Sequence, residues 1–454
     1  MVVLPSHACA QSHAAPGAIT LDAALRKDVV DTMAARLRRH YVDADTGRMI
    51  ADHVVARLTQ GAYNSITSPA RFAEVLTADL RSVNDDKHLR VVYDPETPFA
   101  QPGPEGIQMF GPPPPPPPSA GAPRRAPPPG AANAARQTHY GLGRVDILPG
   151  NVGYLDTRGF SGAPEVEDFM VAALKYLEGT DAIIIDVRRN GGGSPVAVNF
   201  LISHFTTGDT TASLTVRNRS GNETFTRYTL AEVPGPRRPK VPLYVLTSRG
   251  TASAAEDFSF VLKNMGRATI VGSRTAGAGH NNAVVDVGHG FGTSISFTRV
   301  SDPRTGKEWE RVGVIPDVDV DQERSLEVAH ALALKTIAAA ETDPRRRKVV
   351  DLTRETIEAQ STPHVVWSQK LASYAGEYAE GQSVTLRDGA LLFSGRTGGP
   401  AETLVPLTDA TFAVRATRFA FEPTAGGKMR MRVTPPEGEG LTYERVRTNV
   451  AAKP

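Results

Sequence analysis

Apolar strands alternate with helical segments in the middle of the chain, and this alternation constrains the fold more than any other feature. The apolar runs at 182–185, 241–246 and 268–271 are typical of strands buried on both faces of a sheet. Between 166 and 177, apolar residues recur at steps of three and one, the spacing of an amphipathic helix. The pattern predicts an α/β core, with ligand chemistry at the strand ends.

The segments on either side of this core have different patterns. Residues 20–98 contain three amphipathic stripes, the first of them after Asp22, and predict a helical bundle. Residues 137–345 are the predicted core, with a hairpin over 283–297 and a closing helix over about 324–340. Residues 364–448 contain six short strand candidates separated by Gly, Asp and Pro, which predict a small β-sandwich or barrel.

The segment 99–136 does not fit any regular folded pattern. Thirteen of the 35 prolines lie between 101 and 130, and Pro112–Pro118 is an unbroken run. Such a run forms polyproline II, which favours a linker or an exposed loop. A docking site for a proline-binding domain is the alternative interpretation.

Composition excludes several classes of protein. Lys+Arg 51 against Asp+Glu 49 leaves a net charge of +2, which argues against a nucleic-acid partner. Cys9 is the only cysteine, so an intrachain disulfide and a cysteine zinc site are both excluded. No apolar run reaches the roughly 18 residues that a membrane-spanning helix needs.

The N-terminus has a weak resemblance to the end of an export signal. Ala8-Cys9-Ala10 fits a small-residue cleavage site, but residues 1–7 have no Lys or Arg and only a short apolar stretch. Residues 1–19 are therefore either the remnant of a signal peptide or a disordered terminus. The first interpretation predicts a periplasmic or secreted protein, and a cytoplasmic location is the alternative.

Two stretches at strand ends have the composition of a functional site. Residues 186–193 follow a buried strand and end in three glycines, which can expose backbone amides to a ligand. This is not a nucleotide-binding fingerprint, and a generic glycine-rich turn is the alternative. In the second stretch, Ser253 lies at a strand–turn–helix junction, beside amides that can stabilise an oxyanion. The alternative is that Ser253 and Glu256 form only a capping box.

Four motifs in order resemble the S41 serine peptidases, which include the C-terminal processing (tail-specific) proteases, the tricorn core and the interphotoreceptor retinoid-binding protein repeats. They are Asp-x-Arg-x-Asn-Gly-Gly-Gly at 186–193, Thr-Ser-x-x-Thr-x-Ser-Ala-x-Glu at 247–256, Gly-Arg-Ala-Thr-Ile-Val-Gly-x-x-Thr-Ala-Gly at 266–277, and Glu-x-x-Gly-Val-x-Pro-Asp at 310–317. The resemblance spans about 150–320. It implies a crotonase-like ββα core and makes Ser253 the expected nucleophile.

The resemblance also implies the other site residues. Processing proteases use a lysine base in a Phe-Gly-Lys-Gly segment, but this chain has Ala278 at that position. The tricorn-like and retinoid-binding-like branch uses Ser, His and Glu instead, which implies His88 as general base and Glu310 as its orienting carboxylate. The alternatives to these two are His280 and Glu308. The amides of Ala254 and Gly192 are the expected oxyanion donors.

Two functions follow from this resemblance. The first is a metal-independent serine endopeptidase without a cofactor, which acts on a peptide or protein substrate through an acyl-enzyme. The second is a non-catalytic module that binds an apolar ligand, or an inactive peptidase homologue. No H-E-x-x-H or paired-carboxylate pattern indicates a catalytic metal. No pattern indicates an oligomeric state.

Overall fold

The computed structural model describes residues 21–96, 98–102, 135–219, 223–396 and 399–447. The predicted terminal segment 1–19 and the proline run Pro112–Pro118 lie outside these residues. The chain divides into two compact units. The first comprises 1–118, 216–225 and 280–300, and the second comprises 119–215, 226–279 and 301–454.

The helices and strands follow in chain order. The helices are α1 Ala23–His40, α2 Ala44–Thr59, α3 Pro69–Asn84, α4 Val166–Tyr176, α5 Pro195–Ser203, α6 Ala254–Asn264, α7 Ser325–Ala340, α8 Pro344–Ser361 and α9 Ser368–Tyr374. The strands are β1 Arg90–Tyr93, β2 Leu142–Leu148, β3 Val152–Thr157, β4 Ala182–Asp186, β5 Ala212–Asn218, β6 Glu223–Tyr228, β7 Leu243–Thr247, β8 Thr269–Gly272, β9 Asn281–Gly288, β10 Phe291–Ser301, β11 Val318–Asp319, β12 Gly376–Tyr378, β13 Gln382–Arg387, β14 Ala390–Ser394, β15 Glu402–Pro406, β16 Thr411–Val414, β17 Thr417–Pro423, β18 Met429–Thr434 and β19 Leu441–Arg447. Within the described ranges, no helix combines the length and the apolar character needed to cross a membrane.

The first unit packs its three helices against antiparallel strands. Strand β10 pairs with β9 as the predicted hairpin, and also pairs with β1. Each helix is capped by the side chain of the residue before it, which accepts a hydrogen bond from an amide of the first turn. The capping residues are Asp22 for α1, Asp43 for α2 and Ser68 for α3. Apolar faces of the helices share one core with Val285, Phe291 and other residues of the hairpin.

The second unit contains the predicted α/β core. Its six-stranded sheet has the order β11-β8-β7-β4-β3-β2, in which only the edge strand β2 pairs antiparallel. One face of the sheet is covered by α7 and α8, whose apolar residues share a core with β3, β4, β7 and β8. Strands β4 and β7 are buried along their whole length. Their carboxyl ends lead directly into the two motif stretches.

The C-terminal part of the second unit is a closed barrel. Its strands follow one another in sequence order from β12 to β19, and β12 pairs with β19 to complete the ring. Apolar side chains, among them Tyr378, Phe412, Phe419 and Met431, fill its interior. The structure therefore decides between the two predicted all-β forms in favour of the barrel. It also adds β12 and β19 to the six predicted strands.

Candidate active site

Ser253 lies in the turn between β7 and α6, in a strained backbone conformation. Its φ is 53° and its ψ is −120°, a region that residues with a side chain seldom occupy. The serine at the start of α5, Ser194, has φ −76° and ψ 121°, the extended conformation usual for a helix cap. Helix α6 is buried from Ala254 to Leu262, whereas Ser253 itself is partly exposed. The fold thus holds Ser253 in an unfavourable conformation at an accessible position.

Glu256 anchors this turn from inside the protein. It forms the predicted capping box with Ser253, whose N–H donates to Glu256 Oε2 at 2.9 Å. The same carboxylate also accepts hydrogen bonds from the amides of Gly277 and Ala278, at 2.7 and 2.8 Å, and from the Thr275 hydroxyl. Burial raises the pKa of Glu256, and these hydrogen bonds oppose that rise. Glu256 therefore joins Ser253 to the 275–278 loop, beyond its role in the cap.

The glycine-rich turn after β4 passes close to Ser253. Gly192 has φ +114°, and a Cβ at this position would lie 2.8 Å from the Ser253 Cβ and 3.0 Å from the Ala254 nitrogen. By contrast, a Cβ on Gly191 would meet no atom within 4 Å. Only a glycine at 192 leaves space beside the hydroxyl-bearing carbon and the first helix amide.

The two expected oxyanion donors differ in their surroundings. The Ala254 N–H is at the first position of α6, where helix amides lack a partner in the preceding turn. The Gly192 N–H already donates to Asn190 Oδ1 at 2.9 Å, and the Asn190 side chain also donates to Thr157. In the conformation described here, Gly192 would have to exchange this acceptor before it could bind an oxyanion.

Glu310 lies on a segment that packs against the same loop. Its Oε2 accepts a hydrogen bond from the Gly279 N–H at 2.7 Å, and the neighbouring Arg311 N–H donates to the Gly277 carbonyl at 2.8 Å. Trp309 packs on Phe260 of α6, with ring centroids 4.6 Å apart. The buried carboxylates of Glu256 and Glu310 thus hold consecutive parts of one loop.

In the first unit, Asp86 lies near two histidines. Its buried carboxylate accepts hydrogen bonds from the Tyr41 hydroxyl at 3.0 Å and the His88 N–H at 2.9 Å. The Nδ1 atoms of His88 and His280 lie 4.0 and 3.7 Å from its two oxygens. Burial would raise the pKa of Asp86, but hydrogen bonds with His280, Ser296 and the His88 N–H outweigh it and hold the pKa below its usual value. Asp86 is therefore an anion that both imidazoles can face.

Burial also changes the protonation of His88. It lowers the pKa of the imidazole below its usual value, although the Asp86 charge opposes this shift. A neutral imidazole is the form that can accept a proton. His88 is consequently suited to act as a base at neutral pH.

A further buried network supports the end of β4. Asp186 accepts hydrogen bonds from the Arg188 guanidinium on both oxygens, at 2.9 and 2.6 Å, and from the Tyr154 hydroxyl at 2.7 Å. Burial raises the pKa of Asp186, but the hydrogen bonds outweigh this and lower it overall. The Asp-x-Arg part of the first motif therefore holds the strand end from which the glycine turn begins.

The expected site residues are divided between the two units. Ser253, Ala254, Gly192 and Glu310 belong to the second unit, where Glu256 and the 275–279 loop connect them. His88 belongs to the first unit, with Asp86 and His280. Two contributors were not assigned these roles from the sequence. No sequence pattern assigns a function to Asp86, two residues before His88, and the contacts of Glu256 with the loop about 20 residues later cannot be read from spacing.

Two family models match this chain. The model of peptidase family S41 matches residues 151–320, and that of the N-terminal domain of peptidase S41 in eukaryotic IRBP matches residues 13–122. Residues 151–320 therefore belong to peptidase family S41. The S41 region contains Ser253, Glu310 and the glycine turn, and the N-terminal match contains His88.

Similar proteins include named S41 proteases. A carboxyl-terminal-processing protease of Synechocystis is 31% identical over 180 residues, which are 39% of this chain and 40% of that protein. The chloroplastic C-terminal processing peptidase of Tetradesmus obliquus is 33% identical over 153 residues, covering 32% of this chain and 30% of that protein. The chain thus spans less than half the length of either relative. A solved structure of a putative peptidase from Parabacteroides merdae is 19% identical, with a TM-score of 0.45, and the match covers 68% of this chain and 96% of that chain.

The resemblance places Ala278 at the position of the lysine base of the processing proteases. Ala278 is buried there, and its amide donates to Glu256. An alanine side chain has no group that can take a proton.

Proposed function

We propose that this chain is a serine endopeptidase that cleaves peptide or protein substrates through an acyl-enzyme on Ser253. The observation that carries the proposal is the strained backbone of Ser253, with Gly192 leaving open space beside it. Strain of this kind is typical of a nucleophile presented on a sharp strand-to-helix turn, and a cap alone does not require it.

The base in this proposal is His88. Its neutral imidazole takes the proton of the Ser253 hydroxyl as the oxygen attacks the substrate carbonyl, and returns it to the leaving amine. Water then attacks the ester in the same way and releases the second product. The depressed pKa of His88 supports this role, because the imidazole is neutral at physiological pH.

Glu310 is the proposed orienting carboxylate. A carboxylate in this role fixes the tautomer of the imidazole and stabilises its protonated form. Asp86 is the carboxylate that accompanies His88 within the first unit, and its hydrogen bond with the His88 backbone N–H holds the residue that carries the imidazole. These roles use side-chain groups alone and need no metal.

The Ala254 and Gly192 amides are the proposed oxyanion donors. The first is at a helix N-terminus, where the helix dipole also favours negative charge. The second becomes a donor when substrate binding replaces Asn190 as its acceptor, since catalytic hydrogen bonds often form only in the substrate complex.

The alternative is a non-catalytic module that binds an apolar ligand, or an inactive homologue. Such a protein would not need a strained serine with a glycine that leaves space beside it, nor a neutral buried imidazole. These three features favour the enzyme. The comparison with eukaryotic IRBP over residues 13–122 keeps the binding function as the second candidate.

The test is labelling of the purified full chain with a fluorophosphonate, followed by mass spectrometry to locate the modified residue. Wild type, Ser253→Ala, His88→Ala and His280→Ala are compared, with Ser194→Ala as a matched control. We expect the label on Ser253, its loss in Ser253→Ala and a strong reduction in His88→Ala. Labelling should persist in His280→Ala and Ser194→Ala.

Other outcomes would contradict parts of the proposal. Loss of labelling in His280→Ala with retention in His88→Ala would exchange the roles of the two histidines. A folded wild-type protein that does not react would favour the ligand-binding function, and binding of retinoids or fatty acids would then be measured.

Export to the periplasm or the medium is part of the same proposal, supported only by Ala8-Cys9-Ala10. N-terminal sequencing of protein from its native host tests it. A mature terminus close to Gln11 would support export, and an intact residue 1 would contradict it.

A further inference from the structure

In the second unit, one buried carboxylate binds two exposed guanidinium groups. Asp156 is the second-to-last residue of β3 and is 1% exposed. Its Oδ2 accepts hydrogen bonds from Arg158 Nε and Arg189 Nη2, both at 2.9 Å. The two arginine side chains are 56% and 61% exposed, so both guanidiniums also face solvent.

The guanidinium groups of Arg158 and Arg189 have N–H donors that are not used by Asp156. Each guanidinium carries five N–H donors, and one nitrogen of each is bound to Asp156. Within the described residues, neither guanidinium makes another hydrogen bond. Two positive charges against one negative charge leave a local excess of +1. Such a pair can bind a second carboxylate from the solvent side.

The fold makes room for this cluster. A Cβ at Gly143 of the neighbouring strand β2 would lie 2.5 Å from Asp156 Oδ2 and 3.0 Å from Arg158 Nε. A larger residue at 143 would therefore displace the carboxylate or the guanidinium. The buried carboxylate fixes two long side chains that would otherwise lose much conformational entropy on binding a ligand.

The cluster lies beside the segments that approach Ser253. Arg189 precedes Asn190, whose carbonyl accepts the Ala252 N–H at 3.1 Å. Two residues after Arg158, the Phe160 N–H donates to the Gly192 carbonyl at 2.9 Å, and its own carbonyl accepts the Ser194 N–H at 2.7 Å. Both arginines are thus within two residues of a backbone contact to the glycine turn or to the residue before Ser253.

We propose that Arg158 and Arg189 form a subsite for a carboxylate of the bound peptide, near the bond that is cleaved. The inference rests on the proposed peptidase function and adds a substrate class to it. The carboxylate is either an Asp or Glu side chain or the C-terminal carboxylate of the peptide, since both have the same planar pair of oxygens. Guanidinium forks match that geometry better than lysine does.

Binding to the inert Ser253→Ala chain tests the subsite apart from catalysis. The probes are fluorescein-labelled ten-residue peptides of Ala, Ser and Leu, with one Glu or one Gln at each position in turn. A second set has a free C-terminal acid or a C-terminal amide. Fluorescence anisotropy gives the affinity of each pair. We expect one Glu–Gln pair, or the acid–amide pair, to favour the carboxylate by about tenfold.

Variants then assign any preference to the arginines. Arg158→Gln and Arg189→Gln are each expected to reduce the preference for the carboxylate peptide to about threefold or less, because one of the two guanidinium groups is lost. A triple variant, R158Q/R189Q/D156N, should abolish it, and it avoids leaving a buried carboxylate unpaired. Arg346→Gln is the matched control. Its guanidinium is similarly exposed and pairs with Asp181, just before the start of β4 at the opposite end of that strand.

Equal affinity within every pair, or no measurable binding of any peptide, would overturn the subsite. A preference that the triple variant retains, in a folded protein, would also overturn it. A wild-type chain that shows the preference but does not react with the fluorophosphonate would instead refute the peptidase function and leave the carboxylate site standing.

Discussion

A serine immediately precedes two helices of the second unit, α5 and α6, and the two serines differ in backbone conformation and in hydrogen bonding. Ser194 follows β4 and its glycine turn, has an extended backbone, and its hydroxyl accepts the Ala197 N–H at 3.4 Å. Ser253 follows β7, the next strand of the sheet, and has a positive φ. Ser194 stabilises its own helix. Ser253 has an unfavourable conformation that the surrounding residues must maintain.

The third residue of each helix explains how that conformation is maintained. In α5 this position is Ala197, which offers no side-chain acceptor. In α6 it is Glu256, whose carboxylate binds the Ser253 amide and three donors of the 275–278 loop. The comparison teaches that a serine at a helix start becomes a candidate nucleophile when its helix is tied to a distant loop, so that the two together fix its backbone.

The sharpest test replaces each serine by alanine. Ser253→Ala should lower peptide cleavage about 10⁴-fold or more, because the nucleophile is lost. Ser194→Ala should leave cleavage unchanged and lower the free energy of unfolding by about 1 kcal/mol, the cost of a lost cap. Steady-state kinetics and urea unfolding measure both effects. Equal loss of activity in the two variants would remove the distinction between the serines.

The second test compares two adjacent glycines. Gly192→Ala should lower cleavage about 10²- to 10³-fold, because its methyl group occupies the space beside Ser253 and the Ala254 amide. Its positive φ adds a cost of about 1–3 kcal/mol to folding. Gly191→Ala should change neither quantity much, since nothing lies within 4 Å of its added Cβ. If Gly191→Ala lowered cleavage as much as Gly192→Ala does, the loss would come from reduced flexibility of the turn and not from the space beside Ser253.

The third test removes the charge that distinguishes the two helix starts. Glu256→Gln replaces one acceptor oxygen by an NH₂ group that would face N–H donors. We expect a loss of about 2–3 kcal/mol in the free energy of unfolding. Cleavage should fall about 10- to 100-fold because the Ser253 turn loosens. The control is Asp168→Asn, in the first turn of α4, whose exposed carboxylate should contribute less than about 1 kcal/mol.

The smallest expected effect is a shift in pH dependence. The folded-state pKa of His88 lies below 6.5, so the imidazole stays neutral as pH falls to that lower value. The rate of fluorophosphonate labelling, measured from about pH 4 to 8, should fall with a midpoint below 6.5. A midpoint above 6.5 would argue against His88 as the base.

The same shift affects stability with a defined sign. Unfolded His88 takes a proton as pH falls through 6.5, before the folded form does. The His88 contribution to the free energy of unfolding should therefore decrease from pH 6.5 down to the folded pKa. Urea unfolding of wild type and His88→Gln at several pH values would isolate this contribution. Identical pH profiles for the two proteins would contradict the burial-induced shift.

Local chemistry made much of the fold predictable. The cap at Asp22, the hairpin over 283–297 and the helix near 324–340 all appear, because short-range spacing determines them. Strand β12 was missed because three residues give no periodicity, and β19 because charged residues interrupt it. Helix α8 was missed because its first turns are dominated by charged residues.

The site was less predictable than the fold. The family resemblance, rather than spacing, singled out Ser253, His88 and Glu310, and their roles stay predictions. The contacts that hold Ser253 join Glu256 to residues about 20 positions later. Within the first unit, Asp86 lies close to His280, nearly 200 positions later. Contacts of that range depend on the tertiary fold, so no local pattern in the sequence predicts them.

The closed C-terminal barrel has a consequence for the survival of the protein itself. Peptidases generally cut a segment only after it has detached from its neighbours in an extended form. In a ring where β12 pairs with β19, every strand is bonded on both sides, and no edge strand is free to peel away. The closed ring of β12 to β19 therefore offers an attacking peptidase no edge strand from which unfolding and cleavage of this domain could begin.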